Sequence, residues 1–212
     1  VGIGPYPNEC LEKLRDTPNA RFVKGNHDAW LVDGVPDLPP EWMDQEDPFA
    51  REFWTHLRNS TNWTRSQVSA QLRAFVAEWP FQIQREFEGV RASFQHYALT
   101  RSGKDFKPIV MQPTVDDLDR LFAACDAGVV FYGHDHACSD LTGRIRYVNL
   151  GALGAHNEPT ARYCIAEFRD GQCTLEHHSV LYDDRALFHA FERREVPGRQ
   201  FFYRVFFGDR FK

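Results

Sequence analysis

The sequence lacks three features that would assign it to a class at once: a long apolar run, a block of charges of one sign, and paired cysteines. No apolar run approaches the roughly twenty residues that a membrane span needs, and no segment resembles a signal peptide. The 25 basic and 30 acidic residues give a net charge of −5 without a single-sign block, so nothing indicates nucleic-acid or anionic-membrane binding. We therefore expect a soluble, cytoplasmic protein whose partner is a small molecule or another protein.

The five cysteines are odd in number, scattered, and never arranged as C-x-x-C. This distribution favours reduced thiols over a disulfide framework or a cysteine-type zinc site. With 212 residues, 42% of them hydrophobic, the chain can build one good-sized core or two small ones. We expect a single domain over residues 1–212.

Hydrophobic periodicity predicts a mixed α/β chain, with Asn8 and Thr64 as N-caps of two of its helices. Helices are predicted at 9–15, around 50–58, and at 64–79, 114–125 and 184–194. Strands are predicted at 21–24, 81–87, 90–97, 128–132, 145–150, 163–168, 173–180 and 200–207.

Residues 31–60 interrupt this pattern. All five tryptophans of the chain lie between residues 29 and 79, and several prolines separate acidic residues in the same region. We interpret 31–60 as a Trp/Pro-rich insertion. It is either a flap near the functional site or an ordinary surface insertion packed by its own tryptophans.

Two polar groups follow short apolar runs. Gly25-Asn26-His27-Asp28 comes after residues 21–23, and Gly133-His134-Asp135-His136 comes after 128–132. Polar side chains at strand ends are where open α/β sheets bind their ligands. The prediction is therefore that both groups leave strand ends on loops.

Neutral imidazole and the amide oxygen of asparagine are sound ligands for borderline divalent metals. A lone His-x-His is more often incidental, and a lone Gly-Asn-His-Asp is more often a simple turn. Their joint occurrence, together with a further histidine after a strand, favours a metal site. Its predicted ligands are Asn26, His96, His134 and His136, whereas of the other histidines only His156, after the 151–154 loop, is singled out.

These residues resemble the motifs of the calcineurin-like metallophosphoesterase superfamily, in its bacterial and archaeal phosphodiesterase branch. The resemblance rests on Gly25-Asn26-His27-Asp28, on His96 after a strand, and on Gly133-His134-Asp135-His136. Residues 1–9 and 148–154 also resemble segments of that branch, so the similarity covers essentially the whole chain. One departure is Tyr97, at a position where the family usually has glycine.

The resemblance implies a four-layer α/β/β/α sandwich with two mixed sheets and a two-metal site at the strand ends. It implies that Asn26, His96 and His134 bind one metal and that His136 binds the other. The ions would be divalent or trivalent manganese, iron, zinc or nickel. The family's Asp-x-His and Gly-Asp motifs, which supply the remaining ligands, are absent, so we expect that an N-terminal strand–helix unit is missing from the sequence as given.

The resemblance also implies a metal-dependent phosphoesterase, in which a hydroxide held between two ions about 3.5 to 4 Å apart attacks phosphorus. His27 would protonate the leaving alkoxide or stabilise developing charge, and Asp28 would orient it; otherwise His27 is a solvated turn histidine. We predict a phosphodiesterase acting on small or nucleotide-like substrates. The alternatives are a catalytically impaired metal-binding or regulatory module, if the chain truly begins at Val1, and a phosphomonoesterase or protein phosphatase.

Overall fold

The structure, a computed structural model, describes residues 1–37 and 46–211. The helices are α1 (Pro7–Arg15), α2 (Asn26–Asp33), α3 (Pro48–Gln67), α4 (Ala70–Ala77), α5 (Val115–Leu121), α6 (Arg185–Arg193) and α7 (Arg199–Phe206). The strands are β1 (Gln82–Phe87), β2 (Val90–Gln95), β3 (Val129–Tyr132), β4 (Cys138–Thr142), β5 (Arg146–Leu150), β6 (Thr160–Arg169) and β7 (Gln172–Leu181). Among these helices, none is long and apolar enough to cross a membrane.

Contacts divide the chain into two compact units. The helical unit comprises Val1–Phe22, Asn26–Trp79 and Asp183–Lys212, and the sheet unit comprises Val23–Gly25 and Pro80–Tyr182. The single domain over residues 1–212 stays a prediction, and each unit is described by itself.

The sheet unit contains a five-stranded mixed sheet with the order β1-β2-β3-β5-β4. Strands β2, β3 and β5 run parallel, and β1 and β4 pair antiparallel at the two edges. Every residue of β3 is buried, as expected for a short apolar run in the middle of a sheet that is covered on both faces. Because parallel strands end at one edge of the sheet, the residues after β2, β3 and β5 emerge side by side.

Strands β6 and β7 form a second, antiparallel sheet, joined at Asp170 and Gly171. Both residues have positive φ (50° and 74°), the conformation that a two-residue hairpin turn requires. One face of this hairpin packs on the first sheet through an apolar layer that includes Phe131, Val148, Cys164, Ala166 and Phe168. The predicted α/β class with two sheets is therefore confirmed.

The helical unit has two apolar clusters. One joins α1, α2 and α4 through Leu11, Leu31, Val68, Leu72, Val76 and Trp79. The other is dominated by aromatic residues of α6, of α7 and of the position that follows α7, namely Phe188, Phe191, Phe201, Phe202, Tyr203 and Phe207.

The two predicted N-caps in this unit are wrong. Helix α3 continues to Gln67, so Thr64 is a buried residue of its last turn, and the cap of the next helix is Ser69, whose hydroxyl accepts the Leu72 N–H at 3.2 Å. The Asn8 side chain does not cap α1. Instead it donates to the Gln67 carbonyl at 2.7 Å and accepts the Ser69 N–H, which ties it to the α3–α4 turn.

Two predicted strands are also absent from the described residues. Residues 21–25 of the described chain form no regular strand; the Lys24 N–H donates to the Pro80 carbonyl, without the continuous ladder that a strand needs. Residues Arg199–Phe206 form a helix rather than a strand: consecutive Phe201, Phe202 and Tyr203 are all buried, which a strand with one buried face cannot achieve. Strand β4, a polar edge strand, was not anticipated.

The interpretation of residues 31–60 stays a prediction. Residues 38–45 lie outside the described part of the chain. The helix expected at 50–58 is present, but it is longer, since α3 covers Pro48–Gln67.

Candidate functional site

His96 and His134 lie together at the carboxyl edge of the five-stranded sheet. They follow the parallel neighbours β2 and β3, and the Gly133 N–H donates to the His96 carbonyl at 2.9 Å. His96 Nε2 and His134 Nδ1 are 3.0 Å apart, with the two rings inclined at 77°.

This separation suits a shared cation as well as a hydrogen bond. A metal such as zinc binds imidazole nitrogen at about 2.0 to 2.1 Å, so two nitrogens bound at about a right angle lie roughly 3 Å apart. The two nitrogens can therefore take up one ion with little rearrangement. Among residues 1–37 and 46–211, no group of three or more His, Cys, Asp or Glu side chains is arranged to hold a metal ion. Of the predicted ligands, His96 and His134 are the two whose spacing fits a shared ion.

Burial keeps the imidazoles of His134 and His136 neutral. Burial, with the nearby His96 and His136 imidazoles adding to the effect, lowers the pKa of His134 to about 3. Burial also lowers the pKa of His136. Since the neutral imidazole is the form that binds a metal, neither His134 nor His136 must first lose a proton at neutral pH.

Two aromatic rings support the pair. The Phe106 ring lies 5.4 Å from that of His96 and 6.3 Å from that of His134, while the fully buried Tyr97 ring lies 5.0 Å from His134. The Tyr97 hydroxyl accepts the Val110 N–H at 2.9 Å. Tyr97, which stands where the family usually has glycine, therefore contacts His134 and also holds the 98–110 loop.

The backbone of the Gly133-His134-Asp135-His136 motif is strained at both histidines. His134 and His136 have φ of 82° and 57°, a left-handed conformation that costs a non-glycine residue about 1 to 3 kcal/mol and persists only where surrounding contacts impose it. Here the Asp135 carboxylate accepts the Ala137 N–H and an N–H of the fully buried Asn149 amide. The Asn149 amide oxygen in turn accepts the Gly151 N–H at 3.0 Å. Asn149 therefore ties the His134–His136 loop to the loop after β5.

Asn149→Ala should destabilise the protein and weaken metal binding, since it removes a hydrogen bond to the half-buried Asp135 carboxylate and leaves the Gly151 N–H without its acceptor. We expect a loss of about 1 to 3 kcal/mol in the free energy of unfolding and of about ten- to a hundredfold in metal affinity. Thermal unfolding and titration with Mn²⁺ or Zn²⁺ measure the two effects. Asn157→Ala, at an exposed asparagine nearby, is the control, and an Asn149→Ala protein that matches it in both measurements would contradict this role.

His136 and His156 are neighbours in the same region. Burial has the largest effect on the pKa of His136 and lowers it; the Asp135 carboxylate raises it, the His156 imidazole lowers it, and a backbone hydrogen bond with Ala155 raises it. His156 Nδ1 accepts the Glu158 N–H at 3.1 Å, which orients its ring.

Asn26, His27 and Asp28 lie in the helical unit, where they form the first turn of α2 rather than a loop after a strand. The expected loop is therefore wrong, although the three side chains remain next to one another. Asp28 is only 8% exposed, and it accepts a hydrogen bond from the backbone nitrogen of Val1.

The His27 ring is confined by its neighbours. A Cβ on Gly2 would lie 2.7 Å from His27 Nδ1, so only glycine fits there, and the Trp30 ring packs edge-on at 5.2 Å. Arg65 donates to the carbonyls of Trp30 and Leu31 at 2.8 and 2.9 Å, which holds the C-terminal part of α2. The ligand and catalytic roles of the named residues stay predictions.

Comparisons with known proteins agree with the resemblance. Residues 3–171 match the family model of the calcineurin-like phosphoesterase superfamily domain. An uncharacterised protein of Methanocaldococcus jannaschii is 25% identical over 216 residues, covering 93% of this chain and 79% of its own.

Two solved structures are similar over nearly the whole chain. A hypothetical protein of Pyrococcus horikoshii has a TM-score of 0.73 at 16% identity, covering 98% of this chain and 82% of its own. A metallophosphoesterase of Sphaerobacter thermophilus has a TM-score of 0.67 at 22% identity, covering 97% and 83%. At these identities the likeness is one of fold.

Proposed function

The chain belongs to the calcineurin-like phosphoesterase superfamily, and we propose that it is a metal-dependent phosphodiesterase acting on small or nucleotide-like phosphodiesters. Membership supports a phosphoester hydrolase, and metallophosphoesterases generally use divalent metal ions. The diester preference, the dinuclear site and the residue roles are our proposal.

The observation that carries the proposal is the close pair His96 and His134. Their nitrogens lie 3.0 Å apart at the carboxyl edge of three parallel strands, and His134 is held in its neutral form. A neutral His134 imidazole beside His96, on a backbone strained at His134 and His136, is easier to explain as a metal ligand than as a core residue, because a core position would not require the left-handed conformation.

In this proposal Asn26, His96 and His134 hold one ion and His136 holds the other. The bound ions would supply Lewis-acid activation of water and of the phosphoryl oxygens. His27 would give a proton to the leaving alkoxide, a task for which imidazole is well suited near neutral pH. Gly2 and Trp30 would keep the His27 ring in one orientation, and Asp28 would stabilise its protonated form.

The test is hydrolysis of bis(4-nitrophenyl) phosphate by metal-stripped protein before and after addition of Mn²⁺. We expect turnover that requires added metal, is reversed by a chelator, and exceeds that of the monoester 4-nitrophenyl phosphate. Activity confined to the monoester would replace the proposal with a phosphomonoesterase. Metal binding without hydrolysis of either compound would replace it with a metal-binding module.

A further inference from the structure

Resting on the proposed function, we propose that Arg162 binds a phosphoryl oxygen of the substrate beside the His134–His136 loop. None of the sequence motifs includes this residue, which lies in the second sheet, on β6.

Arg162 occupies the inner face of β6. The residues that follow it on that face, Cys164, Ala166 and Phe168, belong to the apolar layer between the two sheets. Arg162 is the first charged side chain met along this row toward the start of β6. Placing a cation beside an apolar layer costs free energy unless a polar or charged group is close enough to interact with it.

The Arg162 side chain reaches the loop after β5. A Cβ on Gly151 would lie 3.0 Å from Arg162 Cδ and 3.5 Å from its Nη1. The same point is 3.5 Å from the carbonyl oxygen of His136. The backbone N–H of Arg162 also donates to the Ala152 carbonyl at 3.4 Å. The guanidinium therefore lies at the carboxyl edge of the sheet, next to the backbone of a proposed metal ligand.

Within residues 1–37 and 46–211, the guanidinium of Arg162 has neither a hydrogen bond nor an ion pair. Neighbouring arginines of the sheet unit are engaged: Arg146 pairs with Asp140, and Arg144 donates to the carbonyls of Phe122 and Cys125. A half-buried guanidinium with five N–H donors and no acceptor is a place for an anion.

The chemistry of the group selects the anion. The planar guanidinium can donate two parallel hydrogen bonds to a phosphoryl group, a geometry that favours phosphate over a point-like anion. Gly151, whose missing side chain leaves room for the arginine, has φ of 78°. A side chain at 151 would be strained and would also crowd the Arg162 stem.

The test compares Arg162→Met, Arg162→Lys and Arg169→Met in the full chain. Arg169 is an exposed arginine on the same strand and serves as the matched control. Binding of inorganic phosphate is measured by calorimetry, without added metal and with Mn²⁺, alongside the KM for bis(4-nitrophenyl) phosphate.

We expect Arg162→Met to weaken phosphate binding and to raise the KM by about tenfold or more, the usual scale for losing charged hydrogen bonds. Arg162→Lys should recover part of both, and Arg169→Met should change neither. Phosphate affinity and KM in Arg162→Met equal to those of the unaltered protein, with an unchanged Tm, would overturn the proposal.

The two proposals fail in different ways. If the unaltered protein binds phosphate through Arg162 but hydrolyses no phosphoester, the proposed function fails and the anion site stands. If hydrolysis is metal-dependent but insensitive to Arg162→Met, the anion site fails and the function stands.

Discussion

His134→Ala is expected to remove a bound metal ion and to lower phosphodiesterase turnover by at least about a hundredfold. Loss of a residue that merely supports a metal ligand typically costs ten- to a hundredfold, and His134 is proposed as a ligand itself. It is also the member of the close pair whose pKa is lowered to about 3, so its replacement removes a neutral donor without leaving an unpaired charge. The fold should therefore survive.

Metal content by mass spectrometry, titration with Mn²⁺ and thermal unfolding measure this result. His189→Ala, at an exposed histidine on α6, is the control. His134→Gln tests whether volume alone matters, because it fills the space without restoring the imidazole. Unaltered metal stoichiometry in His134→Ala would remove the basis for the proposed site.

His27→Ala is expected to leave metal content intact and to lower turnover about 10²- to 10⁴-fold, the usual contribution of a general acid. The expectation follows from its proposed role as proton donor rather than ligand. Turnover is compared at saturating metal with that of the unaltered protein. A His27→Ala enzyme with normal turnover would show that His27 is a turn residue without a catalytic role.

Gly2→Ala gives an independent test of the same role without removing the imidazole. The new methyl group would lie 2.7 Å from His27 Nδ1, and the φ of 153° at residue 2 is unfavourable for any side chain. We expect the His27 ring to shift and turnover to fall while metal content stays normal. Normal turnover together with an unmoved His27 ring would show that the ring tolerates the change.

Local chemistry predicted much of the secondary structure. The β1–β2 and β6–β7 hairpins lie where residue patterns indicate, as does the helix at Arg185–Arg193. The helix predicted at 114–125 is present as α5, which is shorter and is capped by Thr114. These features depend on neighbours only a few residues away, so the pattern carries the information.

The errors occur where a distant contact competes with a local signal. Asn8 is a good helix cap by composition, yet its amide is used to bridge Gln67 and Ser69. Thr64 heads a capping-box pattern, yet burial inside α3 overrides it. The residues before Asn26 read as a strand, yet they have no ladder in the described chain.

The sequence by itself determined the superfamily, because the motifs and their spacing are visible in the residues. It also supplied the residue types proposed as metal ligands, whose roles stay predictions. Only the tertiary structure decided that His96 Nε2 meets His134 Nδ1, since parallel pairing of β2 with β3 joins positions 38 residues apart. It alone placed the guanidinium of Arg162 beside Gly151. That the Arg162 guanidinium has no acceptor among residues 1–37 and 46–211 is a consequence of packing between two sheets, and no local sequence pattern predicts it.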